Sequence, residues 1–257
     1  MKNYVRADKK QVQRHFARAA ETYNDQAVVQ ERVAHRLLDL IDETIDQAPT
    51  SVLEIGCCTG LLTRRIVARF PQLQVLHVND LVADFRRRVE RIALPVKIEF
   101  LVGDIEAIPL PQQYQLVISS STFHWLHDLA AFLAKLHHHL HVDGLLAFAM
   151  YGPDNLQEIR ALTGMGLEYP SLGQLTELLE QQHFEVSAAT EEMEILHFTD
   201  PGAVLQHLRQ TGVNALAGPG WNRVRLQEFT RLYHDRFRTK QGVRLTYHPM
   251  YLLARPR

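Results

Sequence analysis

The sequence predicts an α/β fold in which a mostly parallel sheet is covered by helices on both faces. Short apolar runs rich in β-branched residues alternate with helical stretches over residues 51–151, the pattern of parallel strands buried on both sides. The stretch "SVLEIGCCTG", residues 51–60, runs a strand through Gly56 and Gly60 straight into the helix "LLTRRIVARF". Three acids, Glu54, Asp80 and Asp104, close three successive strands at the ends where open α/β sheets bind ligands.

From the N-terminus, the first 45 residues repeat apolar side chains at three- and four-residue steps. Phe16, Ala20 and Tyr23 are followed by Val29, Val33, Leu37 and Leu40, which predicts helices with a joint at "YND". Strands follow at "SVLEIG", "QVLHVND", "VKIEFLVGD", "YQLVISSS" and "LLAFAMYG", with "LAAFLAKLHHHL" a further helix among them. Beyond residue 150, "EMEILHF" and "RLTYHPMYLLARP" read as strands about 45 residues apart. The mostly helical stretch between them is long for a connection and marks a subdomain or lid. No repeat, low-complexity tract or flexible linker divides the chain, which reads as one domain.

Composition narrows the function. The 257 residues can bury one sizeable core, with 46% hydrophobic and 22% charged residues. No apolar run approaches the roughly 20 residues of a membrane helix. The polar start "MKNYVRADKKQVQRHF" does not read as a leader, so a cytoplasmic, reducing location is expected. Cys57 and Cys58 are neighbours, which excludes a disulfide framework, and they lack zinc-site spacing. The net charge of −1 hides an asymmetry: residues 151–200 sum to −9 and residues 201–257 to +8. A basic C-terminal segment in a near-neutral chain points to an acidic partner more than to nucleic acid.

The turn is not a dinucleotide fingerprint, because G-x-G-x-x-G from Gly56 would need glycine where Cys58 and Leu61 stand. Nor is it a phosphate-binding P-loop, since no Gly-Lys-Ser/Thr follows. What remains, Glu54-x-Gly56-x-x-x-Gly60, suits a nucleoside ligand without a pyrophosphate, or a tight turn with no ligand. Gly56 lets the backbone approach the ligand, and Gly60 lets the turn enter the helix. Asp80 can accept hydrogen bonds from both ribose hydroxyls, and Asp104 is placed to meet an adenine amino group.

This set resembles the class I S-adenosylmethionine-dependent methyltransferases, whose turn usually reads E-x-G-x-G-x-G. Cys58 departs from it, at a cost on the order of 1–2 kcal/mol if a glycine-like dihedral is required. Further along, "HFARAAETYNDQAVVQERVAHRLL", "STFHWLHDL", "FAMYGPDNLQEIR", "LRQTGVNA" and "FRTKQGVRLTYHPMYLLARP" resemble the malonyl-[acyl-carrier protein] O-methyltransferases of biotin synthesis. The resemblance implies a Rossmann-like, seven-stranded, mostly parallel sheet with an antiparallel last strand. It implies an N-terminal helical cap at 1–48, a cofactor-binding half at 49–152 and a substrate-side half at 153–257, with a helical insertion at about 200–240. The cofactor implied is S-adenosyl-L-methionine, held by Tyr23, Glu54, Gly56, Cys58, Gly60, Asp80, Leu81, Asp104, Ile105 and Ser119. The reaction implied is methyl transfer to the free carboxylate of malonyl on acyl carrier protein.

Such chemistry needs little from side chains. A carboxylic acid is already ionised at pH 7, so no general base has to be placed, and orientation and exclusion of water carry the rate. Four residues are candidates for orienting the substrate. Tyr23 is either a lid over the cofactor or a core contact; Trp125 is a pocket wall and His124 a donor to the carboxylate. Arg209 either holds that carboxylate or is solvated. Arg223, Arg231 and Arg238 fall on one face of "WNRVRLQEFTRLYHDRFRTK", opposite Leu226, Phe229, Leu232, Tyr233 and Phe237. That face is either a dock for an acidic carrier protein or a solvated surface. "HHHLH" at 137–141 and "RRR" at 86–88 read as surface runs, and no metal site is expected. Two rivals remain. One is a methyltransferase of the same fold acting on a free small acid or a ring carbon; the other is a non-catalytic binding protein whose site Cys58 has disabled.

Overall fold

The computed structural model describes residues 3–4, 8–92, 96–213 and 222–257. Strand β1 (Asn3–Tyr4) precedes helices α1 (Lys9–Ala19), α2 (Tyr23–Gln26) and α3 (Val28–Thr44). The alternating section runs β2 (Ser51–Ile55), α4 (Leu61–Arg69), β3 (Val75–Asp80), α5 (Phe85–Glu90), β4 (Ile98–Val102) and β5 (Tyr114–Ser120). After a 3-10 turn at Phe123–Trp125 come α6 (Leu129–His138) and β6 (Leu140–Tyr151). The last part is α7 (Gln157–Thr163), β7 (Met165–Gly166), α8 (Leu172–Gln181), β8 (Phe184–Glu191) and β9 (Glu194–Phe198), then α9 (Pro201–Gln210), α10 (Arg223–Phe237), β10 (Arg238–Thr239), β11 (Gly242–Tyr247) and β12 (Pro249–Pro256).

The main sheet has seven strands in the order β4-β3-β2-β5-β6-β12-β8. Its first five strands are mutually parallel, and β12 runs antiparallel to both of its neighbours. Alternate residues feed cores on opposite faces. Val52, Leu116 and Ile118 pack into the core under α3 and α4, whereas Leu53, Ile55 and Val117 pack into the one under α6 and α8. Burial on both faces is why these strands read as nearly continuous apolar runs, each large side chain contributing about 1.5–3 kcal/mol. Connections leave β2 toward β3 on one side, while β5 lies on the other. The crevice of this sheet therefore opens above the C-terminal ends of β2 and β5.

Several elements depart from the sequence reading. "YND" is the body of α2 rather than a joint; the chain turns before it, at Ala20–Thr22, and again at Ala27. "EMEILHF" contributes β9, which lies outside the main sheet in a three-stranded sheet ordered β10-β11-β9. "RLTYHPMYLLARP" divides at His248 into β11 of the small sheet and β12 of the large one. In the main sheet the unread strand is β8, "FEVSAATE", at the sheet edge, where burial alternates and half of the side chains carry no apolar signal. Arg238 belongs to β10 rather than to α10, and Leu226 is exposed rather than packed. Asn214 and Ala215 of "LRQTGVNA" and Trp221 lie outside the described residues. Among the described residues no helix is long and apolar enough to cross a membrane.

Candidate active site

The crevice holds a cavity with about 710 Å³ of empty volume, built on the turn after β2. Gly56 (φ +77°) and Gly60 (φ +83°) both take left-handed conformations. The N–H groups of Gly56 and Cys57 donate to the Asn79 carbonyl at 2.9 and 3.0 Å, which ties the turn to the end of β3. A Cβ at Gly56 would lie 2.0 Å from Thr122 Oγ1, so the turn and the loop after β5 meet at a distance only glycine allows. Cys58 is also left-handed, at φ +49°, and it lines the cavity. A non-glycine residue in this region costs about 1–2 kcal/mol.

That backbone has a use. Cys58 N–H donates to Asp80 Oδ2 and Val82 N–H to Asp80 Oδ1, each at 2.8 Å, so two amides fix the carboxylate at the cavity wall. Burial raises the Asp80 pKa to about 6 against the opposing pull of these bonds. Glu54 is different: it is 0% exposed, lies beneath the turn and does not line the cavity. Neither Glu54 oxygen nor the Thr63 hydroxyl closes a hydrogen bond. Burial pushes the Glu54 pKa to about 8, with Thr63 close enough to temper the rise, so the group is protonated at neutral pH.

Helix α1 forms the opposite wall, with Lys9, Val12, Gln13 and Phe16 in the lining. Lys9 Nζ reaches both oxygens of Asp104, at 2.7 and 2.6 Å, and also pairs with Glu106. Glu106 in turn accepts the backbone N–H of Asp128 at 2.7 Å, joining the loops after β4 and β5. Gln13 Nε2 donates to the Leu81 carbonyl at 2.9 Å. The cap is thus latched to the very strand ends that carry the acids.

A second cavity, with about 360 Å³ of empty volume, shares Phe16, Tyr23, Ser121 and Trp125 with the first. Its other walls include Gln30, His124, Tyr151, Tyr169 and Tyr247. Two chain segments far apart in sequence are bonded together to build it. Glu158 accepts the Thr246 N–H at 3.0 Å and the Thr246 hydroxyl at 2.6 Å, and Leu156 N–H donates to the Thr246 carbonyl at 2.8 Å. "GPDNLQEIR" therefore grips "LTYHPMYLLARP" and sets Tyr151 and Tyr247 side by side, 5.9 Å between ring centroids.

A family model described as "Methyltransferase domain" matches residues 52–144. Two similar proteins are the malonyl-[acyl-carrier protein] O-methyltransferases of Acinetobacter baylyi, 34% identical over 98% of this chain and 98% of that one, and of Chlorobium phaeovibrioides, 39% identical over 97% of each. The chain belongs to the malonyl-[acyl-carrier protein] O-methyltransferase family. Among solved structures, a candidate methyltransferase of Bacillus halodurans matches with a TM-score of 0.63 at 14% identity, covering 86% of this chain and 99% of that one, which supports the fold.

Within this member of the family, the expected site residues fall into four groups. Gly56, Cys58, Asp80, Leu81, Asp104 and Ile105 line the first cavity, and Tyr23 and Trp125 line both. His124 lines only the second; burial drives its pKa down to about 3, so the ring is neutral, and its Nδ1 has no hydrogen-bond partner. Glu54, Gly60, Ser119 and Arg209 line neither cavity. Ser119 is buried and donates to the Ile55 carbonyl at 2.9 Å, because strand alternation turns it away and brings Ser120 to the cavity. Gly60 is the cap of α4, and Arg209 lies exposed on α9. Sequence reasoning missed Lys9, Gln13 and Thr122 on the first cavity and Gln30, Tyr151, Tyr169 and Tyr247 on the second. The glycine at 56 was a usable signal for a close neighbour such as Thr122; nothing local marks the others.

Proposed function

We propose that this protein transfers a methyl group from S-adenosyl-L-methionine to the free carboxylate of malonyl-acyl carrier protein. The product is the malonyl methyl ester that primes pimeloyl synthesis for biotin. One observation carries the reading: an acid-lined cavity at the ends of the parallel strands adjoins an uncharged one through four shared residues. The named relatives give the reaction its substrate.

The first cavity fits the cofactor. Gly56 lines it with bare backbone, since Thr122 occupies the space a Cβ would take, and each Asp80 oxygen, accepting one of the two amides, retains a lone pair for a ribose hydroxyl. Asp104 would take the adenine amino group, with Leu81 and Ile105 beside the ring. Bound there, S-adenosylmethionine would supply an electrophilic methyl on a sulfonium, whose sulfur would keep the electron pair of the broken bond, and an acceptor already ionised would need no proton moved. Tyr23, Phe16 and Trp125, packed at ring separations of 6.0–6.2 Å, close the boundary between the cavities and keep water out. His124, neutral at working pH, offers a hydrogen bond to the acceptor without pairing its charge.

The carrier protein is acidic, and Arg223, Arg231 and Arg238 are its proposed dock. All three are exposed. Arg231 pairs with Asp235 at 3.1 Å on the same helix, an exposed contact too weak to withdraw its charge from a partner. Such a substrate places the reaction in the cytoplasm, with Cys57 and Cys58 as free thiols.

The test is a methyl-transfer assay with malonyl-acyl carrier protein, malonyl-coenzyme A and free malonate. Transfer to the carrier-bound substrate supports the reading, and transfer to free malonate alone replaces it with the small-acid reaction. Reversing charge at Arg231 and Arg238 is expected to raise KM for the carrier substrate about tenfold and leave malonyl-coenzyme A unaffected. No change would remove the dock from this basic face.

A further inference from the structure

Gln30, on α3, is only 6% exposed, and its Oε1 has no hydrogen-bond partner although it lines the second cavity. A buried polar atom in this state is costly unless a ligand or water answers it. His124 Nδ1, in the same wall, is likewise unpartnered. Two phenols complete the pattern. Tyr151 accepts the Ser121 hydroxyl at 3.2 Å, and Tyr169 accepts the Asn155 side-chain N–H at 3.0 Å. Each phenol oxygen is thus already serving as an acceptor, so its own proton is left to donate elsewhere, strengthened by the bond it receives. His124 stands between them, its ring centroid 5.3 Å from that of Tyr151 and 6.2 Å from that of Tyr169.

No Lys, Arg, Asp or Glu lines this cavity among the described residues. On the proposed methyltransferase reading, we infer that the second cavity is the carboxylate subsite for the acyl acceptor, held by the Tyr151 and Tyr169 hydroxyls and the Gln30 amide with no cationic side chain. A half-turn of the Gln30 amide about its last torsion puts an N–H where the unpartnered oxygen now lies. The Gln30 amide neighbours the Tyr151 hydroxyl.

The absence of a guanidinium has a chemical consequence. A bidentate arginine would hold the carboxylate whether or not the methyl donor were present, and would draw charge off the oxygen that must attack. Hydrogen bonds from neutral groups orient the carboxylate and leave it nucleophilic, but they do not repay the burial of its charge. Among the described residues no side chain of the lining supplies a counter-charge, and on this inference it comes from the sulfonium of the donor across the shared wall. Acceptor binding therefore depends on a positively charged occupant of the first cavity. It also weakens after transfer, when both charges have gone and a neutral ester faces a neutral thioether.

Burial keeps the donors in their donating form. Tyr169 is pushed up to about 12 and Tyr151 higher still, so neither phenol ionises in the working range.

Equilibrium binding, with no turnover, tests this. Wild-type protein and the Gln30→Leu, Tyr151→Phe and Tyr169→Phe variants are saturated either with S-adenosylhomocysteine, which is uncharged at sulfur, or with sinefungin, which carries an ammonium in that region. Each is then titrated with malonyl-pantetheine and with acetyl-pantetheine. Wild type is expected to bind malonyl-pantetheine about tenfold tighter beside sinefungin, and each variant to lose about five- to fiftyfold of that affinity. Acetyl-pantetheine, lacking the carboxylate, should distinguish neither occupant nor variant. Sinefungin affinity within twofold of wild type shows that a variant has kept its fold, since none of the three substituted residues lines the first cavity. Unchanged malonyl affinity in all three variants, in a protein that methylates malonyl-acyl carrier protein, overturns the subsite and leaves the reaction standing. Equal malonyl affinity beside both occupants overturns the counter-charge. A wild type that neither binds nor methylates any malonyl thioester takes the reaction and the subsite down together.

Discussion

The two cavities share a wall and differ in how they handle charge. The first is lined by Asp80 and Asp104, with Lys9 on the opposing helix; the second is lined by tyrosines, His124, Gln30 and Asn155. Each fits one half of the reaction. A cationic cofactor with ribose and amino donors calls for fixed acceptors, and a carboxylate that must stay reactive calls for neutral donors. On the proposed reading the acids recognise rather than catalyse: Lys9 and Asp104 pair across the first cavity, whereas the second has no charged side chain in its lining among the described residues.

The comparison breaks most sharply at Asp80. Its carboxylate is aimed by two amides and is proposed to accept two ribose hydroxyls, each a charge-assisted bond worth roughly 1.5–3 kcal/mol. Asp80→Asn removes the charge and sets an NH2 against one of the amides that now donate to it. Cofactor affinity should fall about a thousandfold by calorimetry, with circular dichroism unchanged. A loss under tenfold would mean that the ribose lies elsewhere. In the wild type the same group, with its pKa near 6, makes affinity depend on pH. The cofactor favours the ionised form, so affinity should be level above pH 6 and decline below it, by up to about tenfold per pH unit.

Glu54 sharpens the comparison through stability. Its pKa is about 8 in the folded chain against an ordinary 4.5. Between those values the unfolded chain gives up the proton and the folded chain keeps it, so stability is highest at the acid end and declines as pH rises. The slope is at most about 1.4 kcal/mol per pH unit, or about 2 kcal/mol between pH 5.5 and 7. Glu54→Gln, permanently neutral, should flatten the urea-denaturation midpoint across that window, and parallel curves would mean that the carboxyl has a partner in solution. The acid side of the site thus carries a stability cost that the neutral side does not.

How much of this was legible in the sequence follows the same division. The first cavity is made by consecutive strand ends, so an acid after "HVN" or "VG" announces its position by the period of the β-α repeat. Gly56 and Gly60 were readable because a turn of that shape tolerates little else. Glu54 has the right type at the right spacing but points into the core, since strand alternation beside the turn decides direction and motif spacing does not. The second cavity gathers residues 30, 151 and 247 from three elements and residue 169 from the loop before α8, none with a local pattern that separates a lining tyrosine from a core one. "GPDNLQEIR" and "LTYHPMYLLARP" stood out only by resemblance. The bond from Thr246 to buried Glu158 supplies the physical reason the two segments belong together. Arg209, plausible on charge, is exposed on α9 because the buried face of that helix is taken by Val204, His207 and Leu208.

The smallest effect, and the one that decides between an enzyme and a binding protein, is at Cys58. Its left-handed backbone costs about 1–2 kcal/mol, and glycine would relieve that while adding about 0.5–1 kcal/mol of unfolded-chain entropy. Cys58→Gly should therefore stabilise the fold by no more than about 1 kcal/mol. The Cys58 amide already reaches Asp80 at 2.8 Å, so the geometry that glycine would favour is in place with cysteine. Cofactor affinity should accordingly change by less than about fivefold in a calorimetric titration of the two proteins side by side. Tight binding by both makes Cys58 a tolerated substitution. Binding by the glycine variant alone would show that the thiol has closed the first cavity, and the chain would then act by holding a partner rather than by methylating one.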